Sequence, residues 1–256
     1  MRIVLLPSCL GSSLAYQYLS TFRINDTVAV DAGSLGFVGS PEEQAQVRHV
    51  LLTHSHSDHT ASLPVFVENA FQAGRPGVAV YGSAATLDSL RRDVFNDRVF
   101  PDFLRLSAEG PTAFLTLHEL RPGEPVVLDG LTATPVEVDH VVPTLAFVLR
   151  EPGAAVLLAT DTAPTEALWR VAAATPELRA VFLEVTFPDD LAWLAEVSKH
   201  HTTATFAAEL VKLARGVPVF AIHLKACYRE TILAELAAHG LADVQVAEPG
   251  RVYRFD

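Results

Sequence analysis

The order of apolar and polar positions divides the chain into two stretches of different rhythm. In the first, short alternating or continuous apolar runs predict strands at residues 2–6, one or two within 15–24, and another at 27–31, where Asp31-Ala32-Gly33-Ser34 closes the run. Glycines at 33, 36 and 39 mark a loop, and Ser40 before Pro41 has the form of a cap and first helical position for a short helix to residue 47. A strand at 49–52, a helix at 63–73, a strand at 78–81 and a helix at 83–95 capped by Ser83 follow. From 102 to 140, Gly-Pro, Pro-Gly and Asp-Gly punctuation separates short segments, and mostly antiparallel sheet is expected. Strands at 145–149 and 155–159 flank a turn at Pro152-Gly153. Beyond them helix and strand alternate: helix 164–174, strand 181–185, helices 190–199 and 203–214, strand 219–222 and helix 229–238, with Gly216 and Gly240 where C-terminal caps belong. A strand-rich first part and helix-covered sheets describe an α+β chain folded as a four-layer αββα sandwich, one domain over residues 1–256 with no linker to divide it.

Polar residues recur where the apolar runs stop. Taken singly, His140, Asp161 and His223 read as satisfied core or capping residues. Yet Val136-Glu137-Val138-Asp139-His140, Leu157-Leu158-Ala159-Thr160-Asp161, Leu183-Glu184 and Val219-Phe220-Ala221-Ile222-His223 all run from an apolar strand into a side chain able to bind metal. Their recurrence at carboxyl ends of strands points to one site at a sheet edge. The densest case is Thr53-His54-Ser55-His56-Ser57-Asp58-His59, an H-x-H-x-D-H loop directly after residues 49–52. Alternate side chains of an extended backbone share a face, so His54 and His56 can address one ion while the turning chain brings Asp58 and His59 to a second. A polar surface loop is the plainer reading, and the density of ligand types argues against it.

Composition narrows the partners. The formal net charge of −11 over 256 residues works against a long nucleic acid, whose binding relies on clustered Lys and Arg. A small anionic substrate stays compatible, because bound cations add charge that the count omits. Cys9 and Cys227 are the only cysteines and read as ordinary thiols. The apolar start stops at Pro7, too short for a signal peptide, and no apolar segment is long enough to span a bilayer; the expected location is the cytoplasm, with no membrane partner. Trp169, Trp193, Phe95, Phe100 and Phe103 read as core rather than base-stacking residues. His49, His118 and His239 have no motif context.

Taken in order, His54-x-His56-x-Asp58-His59, His140, Asp161 and His223 resemble the metallo-β-lactamase fold superfamily in its hydrolase form; the redox members carry glutamate where His56 stands. The resemblance spans essentially the whole chain. Two branches are similar: the class II cyclic-nucleotide phosphodiesterases and the ribonuclease Z group that trims transfer RNA 3′ ends, both through Phe182-Leu183-Glu184-Val185-Thr186-Phe187 and His201-Thr202-Thr203. Asp31-Ala32-Gly33-Ser34, Phe100-Pro101-Asp102-Phe103 and Ile222-His223-Leu224-Lys225 favour the phosphodiesterases, while Ser57 departs from the leucine of their motif.

The resemblance implies two divalent ions, Zn²⁺ first and Mn²⁺ or Fe²⁺ after it, held by His54, His56 and His140 and by Asp58, His59 and His223, with Asp161 bridging. It implies attack by a metal-bridging hydroxide and protonation of the leaving alkoxide by His201, oriented by Glu184. Asp58 counts among the catalytic residues as well as the ligands. His200 reads as a helix-end residue and is the alternative donor; Lys225 reads as a phosphate contact or a solvated lysine. The implied activity is hydrolysis of a small phosphodiester, first a 3′,5′-cyclic nucleotide. Alternatives are ribonuclease Z-like tRNA processing, hydrolysis of a thioester, lactone or β-lactam, and a non-catalytic metal-binding domain. A homodimer is left open.

Overall fold

The computed structural model describes residues 1–9, 15–213, 216–241 and 244–256. Its architecture follows from strands whose two faces are both buried. In the strand Thr144–Glu151, Leu145, Phe147 and Leu149 enter one apolar cluster while Ala146 and Val148 enter another, and the neighbouring strands Ala154–Ala159 and Leu178–Glu184 divide in the same way. Side chains alternate across a strand, so a near-continuous apolar run must be covered on both sides.

The first sheet is built from β1 (Arg2–Leu5), β2 (Phe22–Ile24), β3 (Val28–Val30), β4 (His49–Leu51), β5 (Val78–Gly82) and β6 (Leu115–Glu119). Helices α1 (Pro41–Gln44), α2 (Ser57–Thr60), α3 (Leu63–Ala70), α4 (Ala84–Ser89) and α5 (Phe103–Glu109) lie between these strands in the chain. The second sheet contains β7 (Val126–Leu128), β8 (Leu131–Val138), β9 (Thr144–Glu151), β10 (Ala154–Ala159), β11 (Leu178–Glu184), β12 (Val219–Ile222) and β13 (Gln245–Val246). Helices α6 (Glu166–Ala173), α7 (Ala192–Ser198), α8 (Thr203–Leu210) and α9 (Arg229–Ala238) accompany it, and β14 (Val252–Arg254) returns to the first sheet beside β1. The strand orders are β14-β1-β2-β3-β4-β5-β6 and β13-β12-β11-β10-β9-β8-β7.

Three apolar layers hold these parts together. Ile3, Leu5, Phe22, Leu51, Phe147, Phe182 and Phe220 fill the space between the sheets. Leu168, Trp169, Phe206 and Ile232 pack α6, α8 and α9 onto the second sheet. Leu63, Phe66, Leu87 and Phe103 pack α3, α4 and α5 onto the first. The result is the four-layer αββα sandwich expected from the pattern. No helix among the described residues is long and apolar enough to cross a membrane.

Several expectations change. Residues 102–140 are antiparallel only in their second part, where β7 pairs with β8 and β8 with β9: before it, Asp102 accepts the N–H groups of Leu104 and Arg105 and starts α5, and β6 then pairs parallel to β5. The capping bond, rather than the Gly110-Pro111 punctuation, governs that stretch. Only Phe22–Ile24 of residues 15–24 forms a strand, and β13 and β14 were not foreseen. Residue 214, the expected end of the helix begun at 203, lies outside the described residues, and α8 runs Thr203–Leu210. Trp169 is buried and its Nε1–H donates to Glu209 Oε2 at 2.5 Å, but Trp193 is 65% exposed and belongs to no core layer.

The strand that ends in Glu184 depends on Phe182, fully buried, its ring stacked on Phe220 at 4.7 Å and edge-on to Phe22 at 5.9 Å. Phe182→Ala is expected to lower the unfolding free energy by about 3–5 kcal/mol, read from the shift of the urea midpoint at unchanged slope.

Candidate metal centre

Parallel pairing brings the carboxyl ends of strands from both sheets to one edge. Val30 pairs with Leu51 in the first sheet, and Ala159 with Leu183 and Glu184 with Ile222 in the second. Each chain therefore leaves its strand at the same level, delivering Asp31, the His54–His59 loop, Asp161, Glu184 and His223 to one place; β8, running the same way as β10, adds His140. Leu145 N–H donates to Thr53 O at 3.0 Å and ties the two sheets together at this edge.

The seven sequence-predicted ligands converge. The donor atoms of His54, His56, His140 and Asp161 lie within 4.8 Å of one another, as do those of Asp58, His59 and His223. Asp161 faces both groups: its Oδ2 is 3.6 Å from His54 Nε2 and 3.8 Å from His140 Nε2, and its Oδ1 is 3.2 Å from His59 Nε2 and 3.5 Å from His223 Nε2. Three residues at this edge, Asp31, Lys199 and His223, hold left-handed backbone with φ of 61°, 56° and 61°. For non-glycine residues that conformation costs on the order of 1–3 kcal/mol and persists where the surroundings impose it.

Two buried carboxylates organise the rings around this edge. Asp31 accepts the backbone N–H of Thr53 at 2.8 Å and its hydroxyl at 2.9 Å, and stands 2.6 Å from His59 Nδ1. The Thr53 oxygen, its proton committed to Asp31, can accept from His54 Nδ1 at 3.0 Å. Glu184 repeats the device: Thr186 donates its hydroxyl to Glu184 Oε2 at 2.6 Å, and the Thr186 hydroxyl oxygen lies 2.9 Å from His223 Nδ1. His140 Nδ1 stands 3.1 Å from Lys199 O. With Nδ1 occupied on His54, His59, His140 and His223, each ring turns Nε2 toward the cluster, the arrangement found behind metal-binding histidines. The sequence reading did not foresee the two threonine bridges. Their signals were Thr53 directly before His54 and Thr186 two residues after Glu184.

The electrostatics suit cations. Burial would raise Asp161, but facing His223 and His59 hold its carboxyl well below the usual range, so it stays ionised. Burial pulls His54, His56 and His140 below the ordinary histidine value and favours the neutral imidazole that coordinates. His54 Nε2, His59 Nε2 and Asp161 Oδ1 are buried and none makes a well-directed hydrogen bond, although the last two face each other at 3.2 Å. Orphaned buried polar atoms are costly, and three of them facing one centre, all imidazole or carboxylate, fit divalent ions.

The structure places the expected donor, His201, away from the cluster and its neighbour His200 beside it. His201 is fully buried; its Nδ1 lies 3.2 Å from Thr205 Oγ1, and only its backbone N–H reaches Glu184 Oε2, at 3.2 Å. Burial lowers its pKa despite Glu184 and Glu209. His200, first read as a helix-end residue, holds Nδ1 2.6 Å from Glu184 Oε1 and turns Nε2 to within 3.9 Å of Asp161 Oδ2. Burial disfavours its charged form, yet the Glu184 carboxylate outweighs that and raises its pKa. The left-handed Lys199 ends α7 and redirects the chain so that successive side chains part, His200 into the site and His201 into the core. Lys225 Nζ lies 3.7 Å from Asp58 Oδ2.

With fold and site together, the chain belongs to the beta-lactamase superfamily domain family, whose model matches residues 30–224, and it has the metallo-β-lactamase fold. Ribonuclease Z of Mycobacterium bovis is 32% identical over 138 residues, 50% of this chain and 49% of that protein, so the match spans about half of each. A probable 3′,5′-cyclic-nucleotide phosphodiesterase of Yersinia pestis is 25% identical over 247 residues, 83% of this chain and 68% of that protein. The crystal structure of unliganded yeast PDE1 superposes with a TM-score of 0.77 over 98% of both chains; at 17% identity this is a likeness of fold.

Thr53→Val keeps the side-chain volume and removes the hydroxyl shared by Asp31 and His54. Loss of such an outer partner is expected to weaken metal retention about 10- to 100-fold, measured as zinc per chain after dialysis against graded chelator.

Proposed function

We propose that the chain is a dinuclear-metal phosphodiesterase acting on a small phosphodiester, first among them a 3′,5′-cyclic nucleotide. His54, His56 and His140 would hold one divalent ion, Asp58, His59 and His223 a second, and Asp161 would serve both; zinc suits an imidazole and carboxylate set. When bound, such ions make water acidic enough to act as a nucleophile near neutral pH and offset the charge of phosphoryl oxygens.

The observation that carries the reading is the Glu184–His200 pair beside Asp161. Hydrolysis of an alkyl phosphodiester breaks a P–O bond to an alkoxide, which needs a proton as the bond breaks. His200 Nε2 is on the side of Asp161 and can give one, while Glu184 at Nδ1 fixes the ring and its tautomer. His201, through its backbone N–H to Glu184, helps hold that carboxylate in place. This assigns the donor to His200 in place of His201.

The small-substrate reading is supported by the net charge of −11 and by the coverage of the Yersinia pestis relative. The ribonuclease Z reading is supported by the Mycobacterium bovis relative, which has the higher identity over a shorter stretch. The same donor pair serves either substrate, so the assay must include both.

His200→Ala is expected to lower kcat on 3′,5′-cyclic AMP by roughly 10²-fold or more. It should cost far less on bis-p-nitrophenyl phosphate, whose nitrophenolate leaves without a proton; equal losses on both would remove His200 as donor. His201→Ala should reduce thermal stability without that discrimination. Chelator should abolish turnover and zinc or manganese restore it, and faster 3′ trimming of a tRNA precursor than cyclic-nucleotide turnover would decide for the nuclease.

A further inference from the structure

Among the described residues, Lys225 is the only lysine or arginine within 4 Å of a carboxylate of the cluster, and at 3.7 Å from Asp58 Oδ2 with its side chain 41% exposed it is not locked there. Asp58 has a closer partner in His223 Nε2 at 3.3 Å. The ammonium is therefore placed at the site and available to another anion.

Ser20 N–H donates to Asp58 O at 2.8 Å, and Gly33 permits the approach, since a Cβ there would fall 2.1 Å from Asp58 O. Gln17 Oε1 accepts the His223 backbone N–H at 3.2 Å, while Gln17 Nε2 is buried without a partner. Tyr18, 54% exposed, is fixed by its backbone N–H to Ser8 Oγ at 2.8 Å. Gln17, Tyr18, His223 and Lys225 line one cavity of about 80 Å³. Pockets that enclose whole ligands hold about 300–1,000 Å³, so this one admits only the end of a ligand, such as an oxyanion, with the rest lying outside against Tyr18.

We propose that this corner is the subsite for the phosphate-bearing part of a nucleotide substrate: Lys225 Nζ pairs with a non-bridging phosphoryl oxygen, Gln17 Nε2 donates to the same part, and Tyr18 offers the nucleobase a stacking face. The proposal rests on the phosphodiesterase reading and adds to it the residues that hold the nucleotide.

The test is calorimetric binding of AMP and of inorganic phosphate to the zinc-loaded protein, with metal per chain measured for every variant. Lys225→Gln is expected to weaken both ligands about 10-fold, the scale of one charged hydrogen bond, and Lys225→Arg to recover most of the loss. Tyr18→Ala should weaken AMP about 10-fold, as loss of one stacking ring does, and leave phosphate unchanged. Unchanged affinity in Lys225→Gln overturns the proposal, as does a loss accompanied by a fall in bound zinc, which would make Lys225 a prop for Asp58. Equal loss of both ligands in Tyr18→Ala overturns the stacking face. Wild-type protein that binds AMP through these residues and hydrolyses no diester overturns the phosphodiesterase reading and leaves the subsite; wild-type protein that binds neither ligand overturns the subsite whatever its turnover.

Discussion

Two buried carboxylates, Asp31 and Glu184, set the geometry on which the candidate centre depends. Each sits at the end of a parallel strand, one in each sheet, and each takes a threonine hydroxyl whose oxygen faces a histidine Nδ1. A buried carboxylate without such partners would cost several kcal/mol. Satisfied in this way, it becomes a rigid anchor, because every acceptor position it fills fixes the rotamer of a neighbour. Asp31 orients His54 and His59; Glu184 orients His223 and His200 and also accepts the backbone N–H of Thr162 at 2.9 Å. The rings are thus held by groups behind them before any ion arrives, which is the form preorganisation takes in a metal site.

The anchors hold because the apolar layers hold them. β11 carries Phe182 into the inter-sheet core and Leu183 into the helix-facing core before it ends at Glu184. β4 likewise sends Leu51 inward and Val50 outward before the histidine loop. Left-handed backbone at Asp31, Lys199 and His223 is tolerated on the same account, each of these residues being gripped by hydrogen bonds or packed between elements. Three of the six left-handed non-glycine residues among those described lie at this edge, and the core offsets their cost.

Between the two kinds of relative, the chemistry is shared and the surroundings differ. The donor pair proposed for Glu184 and His200 would serve any phosphodiester with an alkoxide leaving group, so it does not tell a cyclic nucleotide from a tRNA end. What distinguishes them is the surface beside the site. Here that surface offers Lys225, Gln17 and Tyr18 around a small cavity, on a chain of net charge −11.

Much of this was legible along the chain. The H-x-H-x-D-H loop, and single residues at 140, 161 and 223 each following an apolar run, marked the cluster because strand ends in parallel sheets meet at one edge. The layer order was legible too, since continuous apolar runs of strand length imply cover on both faces. The helix after Asp102 was written in its capping residue and obscured by the Gly-Pro that follows. Other features had no local signature. That His200 rather than His201 faces Glu184 turns on one left-handed residue, Lys199, and neighbouring histidines are equivalent in sequence until the backbone parts them. That Lys199 gives its carbonyl to His140 depends on contacts 59 positions apart. The sequence by itself determined which residue types stand at which strand ends; only the tertiary structure decided which nitrogen of each ring faces the centre, because that is settled by a partner brought from elsewhere in the fold.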